Sequence, residues 1–434
     1  MIGQRRASRL RQVKAYAGWI GTVLGMFAPI TDQVPVLTEA MPRRLDQPGP
    51  RYTSNPAADR FVEAFGPADH ARALARRAVG ATVGGEPLLS LSVHIPVCES
   101  VCDYCACNKV ITKHHERAAD TLDVLAQKIA LTLQALGPTQ ALTQLHLGAG
   151  TPTFLLDAEL SRLMATIRAA FRLAPGAEVM IEVDPRAATP DRLRHLAALG
   201  FNRLSFGVQD FDPDVQQAMH RVQPFDALGD LMTTAREIGF QSINADLIDG
   251  LPKQAPASVA RTVAQIASLR PDRIALYAYA HLPARVKLQR RIVTTQLPAP
   301  EQRVRMLGGA IAGFIAFIAN IDSHIGMDHF ALHDDALAVA KRQGSCTATF
   351  RATAANPMAT CSPSACRRVG RMGATDRQNA KTPRRWALGA GRWTLDACCD
   401  AVRRGQFPVV RGLGLTRDAI VRRAVVMALM CQRR

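Results

Sequence analysis

Four cysteines within ten positions of one another are the residues in this chain best suited to chemistry. Cys98, Cys102 and Cys105 stand at three-then-two spacing, and Cys107 follows two positions after the third. They come directly after an alternating apolar run, residues 89–95, that reads as a β-strand. Thiolates this close together serve as metal ligands. Three sulfurs on one loop can hold three irons of a cubic four-iron cluster and leave the fourth iron open to a substrate or cofactor. Structural zinc is the competing reading, since it takes four closed ligands and Cys107 would complete such a set. Zinc loops usually come as two separated pairs, however, and no second pair lies nearby. The spacing favours a cluster over zinc, and over unligated buried thiols by more.

Charge and cysteine usage narrow the partners. The formal net charge of +18 over 434 residues points at first to nucleic acid, but its distribution argues otherwise. Residues 45–340 carry 28 Lys and Arg against 30 Asp and Glu, while residues 1–44 add a net +5 and residues 341–434 a net +15. The excess is terminal and has no aromatic-plus-basic module beside it, so nucleic acid is not expected as a partner. Outside the cysteine loop every cysteine lies between Cys346 and Cys431. A secreted disulfide framework spreads its cysteines through the fold, and a reducing cytoplasm is the expected compartment. Arg5, Arg6, Arg9, Arg11 and Lys14 precede an apolar run, residues 15–30, in the order of a signal peptide. The run is shorter than the roughly 20 residues of a membrane span and has no clean small-residue cleavage site. No membrane association is expected, and residues 1–40 read as an upstream extension or a misplaced start outside the fold.

The elements that must position the cysteine loop form a regular series. Strand patterns occupy residues 88–95, 142–147, 178–183, 203–208, 242–248 and 273–279, with helical patterns near 118–136, 157–171, 189–199, 226–238 and 257–269. Gly200 and Gly239 close helices, while Pro190 and Pro256 open them. Six βα units in series predict a parallel sheet with right-handed crossovers, either open and doubly wound or curved into a partial barrel. In such folds the ligand lies at the carboxyl ends of the strands. Candidate polar residues sit there on all six: the cysteine loop, the small-residue loop 148–153, Glu182 with Asp184, Gln209, Asp246, and Ala280 with His281.

The stretch VHIPVCESVCDYCACNK, residues 93–109, contains the Cys-x-x-x-Cys-x-x-Cys motif of the radical S-adenosylmethionine enzymes. It resembles one branch of them, the oxygen-independent coproporphyrinogen III oxidases, in which a fourth cysteine follows as Cys107 does here. Related haem chaperones usually lack that cysteine. The resemblance implies a six-unit (β/α)6 partial TIM-type barrel of parallel strands over residues 88–340. An N-terminal arm over 41–87 would precede it, and a truncated helical C-terminal region would begin at 405.

The resemblance also implies a 4Fe-4S cluster on Cys98, Cys102 and Cys105, and two molecules of S-adenosyl-L-methionine. The loop GAGTPT, residues 148–153, is similar to the family's GGGTPT element, which binds the amino group of the methionyl part; Ala149, Gly150 and Thr151 take the contacting positions. Ala149 replaces the middle glycine, a mild departure if the backbone there has ordinary dihedrals. Glu182 in IEVDP offers an acceptor-only carboxylate suited to paired ribose hydroxyls. Gln209 in FGVQDF, Arg221 in HRVQ and Asp246 in NADLIDGLP match positions that line the cofactor pocket. So do Tyr104 within the cysteine loop, Ala280 through its backbone, and Val369. Ser92 stands where the family has a tyrosine that contacts the cofactor, and keeps a hydroxyl without its reach.

The implied reaction is radical chemistry. A reduced cluster gives one electron to the sulfonium, and a 5′-deoxyadenosyl radical takes hydrogen from the β-carbon of a propionate. Loss of carbon dioxide and one electron leaves a vinyl group. Two such events turn coproporphyrinogen III into protoporphyrinogen IX in haem biosynthesis. An electron donor is required, and a monomer is expected. The substrate's four carboxylates call for arginine clamps that the sequence does not single out. The alternative is a cluster- and haem-binding chaperone-like relative without oxidase activity; Cys107 and the family-like GMDHFA segment, residues 326–331, speak against it.

Residues 325–344 again follow the family, and then the match collapses. Within the divergent segment 341–404, residues 345–368 lose any period of 2 or 3.6 while gaining Arg and Cys, as local translation in a shifted frame would produce. A lineage-specific loop is the other explanation. The early end removes a lid that excludes water, so impaired turnover is expected.

Overall fold

Alternation along the strands decides which side chains meet. The computed structural model describes residues 60–84, 89–317, 321–343 and 395–430, except for Asn108, Pro138, Thr139 and Met327, together with Pro56 and short strands between residues 347 and 379. The expected extension 1–40 and residues 380–394 of the divergent segment lie outside the described residues.

Six parallel strands in sequence order make the centre of a nine-stranded sheet: β1 (Leu89–His94), β2 (Gln140–Gly148), β3 (Phe171–Val183), β4 (Arg203–Gln209), β5 (Ser242–Asp249) and β6 (Arg273–Ala278). An antiparallel hairpin, β7 (Ile321–Gly326) and β8 (His329–Leu332), extends the sheet beyond β6. On the other edge β9 (Thr360–Pro363), from the divergent segment, pairs in parallel with β1. The sheet is open and parallel-dominant. Helices α2 (Glu116–Leu136), α3 (Asp157–Ala170), α4 (Pro190–Ala198), α5 (Pro213–Ala218), α6 (Phe225–Ile238), α7 (Pro256–Leu269) and α8 (Pro300–Phe317) follow β1 to β6; α1 (Pro67–Gly84) precedes them.

Several boundaries have local causes. Gly200 and Gly239 adopt φ of +83° and +100° after α4 and α6, the left-handed stop that a residue with Cβ resists. Pro190 and Pro256 occupy the first turns of α4 and α7. β3 begins seven residues before the expected position 178, because Pro175 and Gly176 interrupt an alternation that only becomes regular after them.

Residues of one parity, including Leu91, Leu145, Ile181, Leu204, Ile243 and Ile274, form one apolar core with Leu125, Met164, Met232, Val263 and Phe314 of the helices. Each such buried side chain contributes about 1.5–3 kcal/mol. The other parity is polar and stacks in layers. In the layer nearer the amino ends, Ser90 donates to Gln144, Gln144 to Glu178, and Glu178 also meets Arg203 at 3.0 Å and Arg273 at 3.4 Å. Asp335, after β8, joins the same network, taking hydrogen bonds from Arg273 and Ser242. Ser92, His146, Glu182, Ser205, Asn244 and Asp246 form the next layer. Parallel sheets covered on both faces by helices read as continuous apolar runs. Here the alternation leaves one face to a polar interior.

The arm and the C-terminal part meet. Val62 bridges Gly412 through two backbone hydrogen bonds of 2.9 and 3.1 Å, on a three-stranded sheet made of Val369–Met372, Thr375–Asn379 and Val409–Gly414. That sheet pairs strands from both sides of residue 405, where the C-terminal region was expected to begin.

Candidate active site

The cysteine loop is closed at its base by two-residue parallel pairing of Val97–Cys98 with Val110–Ile111. Thr112 N–H donates to the Cys98 carbonyl at 3.0 Å, and Asp103 N–H to the Met219 carbonyl at 3.1 Å, which ties the loop to the end of α5. Cys98 and Cys102 are buried, Cys105 is partly covered and Cys107 exposed, and all four are free thiols. The Thr151 hydroxyl donates to Cys98 Sγ at 3.4 Å. Arg221 Nη1 and Arg186 Nη2 donate to Cys102 Sγ at 3.4 and 3.6 Å. Burial pushes the Cys98 thiol up to about 11, whereas a hydrogen bond from Cys107 and the nearby Lys109 ammonium hold Cys105 down to about 5.

Among the described residues no three His, Cys, Asp or Glu side chains converge on a single ion. Free thiols at Cys98, Cys102 and Cys105 on one loop are a donor set suited to a four-iron cluster, since thiolates are the usual ligands of such clusters.

The loop after β2 packs directly on the cysteine loop. Thr151 N–H donates to the Val97 carbonyl at 2.9 Å. Gly150 has φ of +83°, and a Cβ there would lie 2.1 Å from the Ile95 carbonyl oxygen. Ala149 also adopts a left-handed φ, +56°, so its replacement of glycine is a strained departure and not the mild one that ordinary dihedrals would make it. Left-handed backbone costs an L residue about 1–2 kcal/mol. What holds it is Glu182, whose Oε2 accepts the Ala149 N–H at 2.6 Å. Glu182 Oε1 lies 3.1 Å from His146 Nε2, and His146 Nδ1 lies 3.5 Å from the Ser92 hydroxyl. The carboxylate expected to meet ribose hydroxyls is thus also the brace of the small-residue loop. Gly148 makes room for it, since a Cβ there would lie 2.3 Å from Glu182 Oε1.

Asp184 gathers two arginines, Arg186 at 2.6 Å and Arg221 at 3.3 Å. Burial alone would raise its carboxyl, but the two guanidiniums outweigh burial and hold it below the usual range. Arg221 also donates to the Gly207 carbonyl at 2.5 Å, which fixes it over the end of β4. Gln209, at φ +69°, is followed by Asp210, which is fully buried and accepts from Thr262 and Gln254. Asp246 receives Ser205 and Asn244, and burial together with the negative charge of Glu182 pushes its carboxyl up to about 7.

Tyr104 packs against the apolar group of Val215, Met219, Leu251, Tyr279 and Ile292. Its carbonyl and that of Ala280 both accept from Gln289 Nε2, at 2.8 and 3.1 Å, while Gln289 Oε1 accepts the Leu282 N–H. Val369 opens a strand of the small C-terminal sheet, and its side chain lies outside the described residues. Sequence reasoning missed His146 and Gln289. His146 shares the inward parity of Ser92 and Glu182 and was findable; Gln289, in a short turn, carries no signal until the fold brings two loops to it.

A profile of the Radical SAM superfamily matches residues 92–266, from β1 into α7. Oxygen-independent coproporphyrinogen III oxidases of Pseudomonas aeruginosa and Escherichia coli K12 are 41% and 40% identical to the chain; each match covers 90% of it and 81% of the relative. The chain belongs to the oxygen-independent coproporphyrinogen III oxidase family. Among solved structures, the Escherichia coli coproporphyrinogen III oxidase, described as a radical SAM enzyme, superposes with a TM-score of 0.81 at 38% identity, covering 92% of this chain and 85% of that one. The superfamily match contains the cysteine loop, the small-residue loop, Glu182, Gln209, Arg221 and Asp246, and ends before Ala280. Among the described residues no helix is long and apolar enough to cross a membrane.

Proposed function

We propose that the protein converts two propionate side chains of coproporphyrinogen III to vinyl groups, giving protoporphyrinogen IX in haem biosynthesis. The reading is supported above all by the convergence of three free thiols from one loop with Glu182, Asp184, Arg221 and Asp246 at the same ends of parallel strands. Cys98, Cys102 and Cys105 hold a 4Fe-4S cluster, and two S-adenosylmethionine molecules occupy the polar interior of a six-unit partial barrel. Together these groups, when bound, supply one-electron chemistry that removes hydrogen from a propionate β-carbon. Each propionate gives up one hydrogen atom, one electron and carbon dioxide.

The chain's own residues prepare that setting. Thr151, Arg186 and Arg221 place donors on the sulfurs, which stabilises thiolate charge in a buried loop. Glu182 retains acceptor capacity beyond Ala149 and His146 for ligand hydroxyls. Asp246 gains its negative charge more readily once a cationic ligand stands near it. Gln289 locks the Ala280 carbonyl to the cysteine loop, so the two rims move as one. Ser92 offers a short hydroxyl, directed to His146, where an aromatic would reach further. The setting is a monomer in the cytoplasm served by a one-electron donor.

The test is anaerobic incubation with coproporphyrinogen III, reductant and S-adenosylmethionine, scoring 5′-deoxyadenosine and vinyl product separately. Both products support the reading. Deoxyadenosine without vinyl product refutes oxidase activity while leaving the radical site, and absence of iron after reconstitution refutes the cluster.

A further inference from the structure

Beside the thiol loop, outside the polar interior, lies a second concavity of about 290 Å³. Its floor includes Asp103, the residue after Cys102, and its walls carry His220, Lys253 and Arg291. The three basic residues come from three separate segments, after α5, β5 and β6. We propose that this pocket seats a propionate carboxylate of the tetrapyrrole, one not undergoing reaction, with Lys253 and Arg291 as its clamps and His220 beside them. The inference rests on the function proposed above and supplies the substrate contacts that sequence patterns leave unnamed.

The pocket is built rather than incidental. Asp103 is 1% exposed; its Oδ2 meets His220 Nδ1 at 2.7 Å, while its Oδ1 lies at an ion-pair distance of 3.5 Å from Arg291 Nη1 without a hydrogen bond, so the buried carboxylate draws both rim side chains toward it. A guanidinium has five donors, and pairing with Asp103 leaves others for a ligand. The Lys253 N–H is fixed by the Gln296 carbonyl at 2.8 Å, while its ammonium stands 3.9 Å from Asp214 at the outer edge, a distance that leaves it able to turn to an anion. His220 and Lys253 adopt φ of +53° and +65°, a conformation L side chains rarely keep without a reason in the surrounding structure. Both strained residues thus face one cavity. Asp103 is the acidic residue of the lining, against His220, Lys253 and Arg291, and Asp214 approaches from outside it only through Lys253.

Position fits the occupant. A macrocycle with four carboxylates that offers one propionate to the reacting centre carries the others away from it, and binding energy there orients the reacting group. Gln289, two residues before Arg291, ties this wall to the Tyr104 carbonyl of the cysteine loop. The methionyl carboxylate of the cofactor has the same chemistry, and the experiment separates the two sources.

The test is anaerobic titration of the full reconstituted chain with coproporphyrin III, its tetramethyl ester and S-adenosylmethionine, followed by fluorescence and calorimetry. Lys253→Gln and Arg291→Met are each expected to weaken coproporphyrin III about tenfold or more, the loss of a hydrogen bond to a charged group. Arg291→Lys is expected to recover part of the loss. The ester is expected to bind wild type no better than the acid binds the variants, with iron content and S-adenosylmethionine affinity unchanged. Unchanged coproporphyrin III affinity in both variants overturns the proposal, as does a loss confined to S-adenosylmethionine. If wild type forms vinyl product and the variants share its KM, the pocket assignment alone fails. If wild type neither binds nor turns over the tetrapyrrole, the functional reading fails with it.

Discussion

Replacing Asp246 with asparagine separates the electrostatics of the site from its packing. The Asp246 carboxyl is raised from 3.8 to about 7, by burial first and by the charge of Glu182 second. Between those values the folded chain keeps a proton that the unfolded chain has lost. This contribution to stability is therefore complete below 3.8 and disappears as pH rises through 7. Each pH unit in that window is worth about 1.4 kcal/mol, so ionised Asp246 weighs against the cofactor-free fold by on the order of 4 kcal/mol at pH 8. Asparagine carries no such charge. Its oxygen can keep the 2.8 Å bond from Asn244, and its amide faces the Ser205 hydroxyl at 3.1 Å, which accepts as readily as it donates. Relative to wild type, Asp246→Asn should gain about 3 kcal/mol more at pH 8 than at pH 5. Urea unfolding of the cofactor-free protein at the two pH values measures the difference. An equal change at both, or a larger gain at pH 5, would refute the account of Asp246 as a destabilising buried charge.

Other perturbations probe the remaining contacts. Gly150→Ala places a methyl 2.1 Å from the Ile95 carbonyl at φ +83° and should lower stability by about 3 kcal/mol. Iron uptake on anaerobic reconstitution should fall with it, and an unchanged unfolding midpoint would mean the two loops do not touch. Arg221→Met removes donors from Cys102, Asp184 and Gly207 and should destabilise by about 3 kcal/mol; Arg221→Lys should restore less than half, because one ammonium cannot span those partners. Arg273→Met leaves Glu178 and Asp335 short of a partner in the amino-end layer, with an expected loss of about 3–5 kcal/mol by urea unfolding and no change in S-adenosylmethionine affinity by calorimetry. Ser92→Tyr should tighten S-adenosylmethionine by about 1 kcal/mol, roughly fivefold. Identical affinity would remove position 92 from the cofactor site.

Much of the architecture was readable because the two periods are simple. Strand and helix patterns from residue 88 to 279 fall on β1 to β6 and the helices between them, and Gly200, Gly239, Pro190 and Pro256 mark ends by dihedral preference alone. The hairpin β7–β8 and the edge strand β9 were not anticipated. Edge pairing depends on which backbone is left open at the sheet margin, and no local pattern records that. Ala149 illustrates the same limit within the site. Its identity is plain, but its left-handed backbone follows from the Glu182 carboxylate that a strand 33 residues later delivers to its N–H.

What the chain's order of residues determined by itself was the chemistry on offer: three thiols at ligand spacing, a small-residue loop, and polar residues at strand ends, since side-chain type and local periodicity are properties of short segments. Tertiary structure alone decided how those groups meet. Parallel register set Ser92 opposite His146 and left Glu182 two residues beyond the His146 partner, Met180, within diagonal reach of the imidazole; crossover connections carried Arg221 and Arg186 to Cys102, and one buried glutamine joined two loops distant in sequence. These contacts exist only when remote backbone is fixed, because hydrogen bonds and ion pairs depend on distances of a few ångströms that no local pattern encodes.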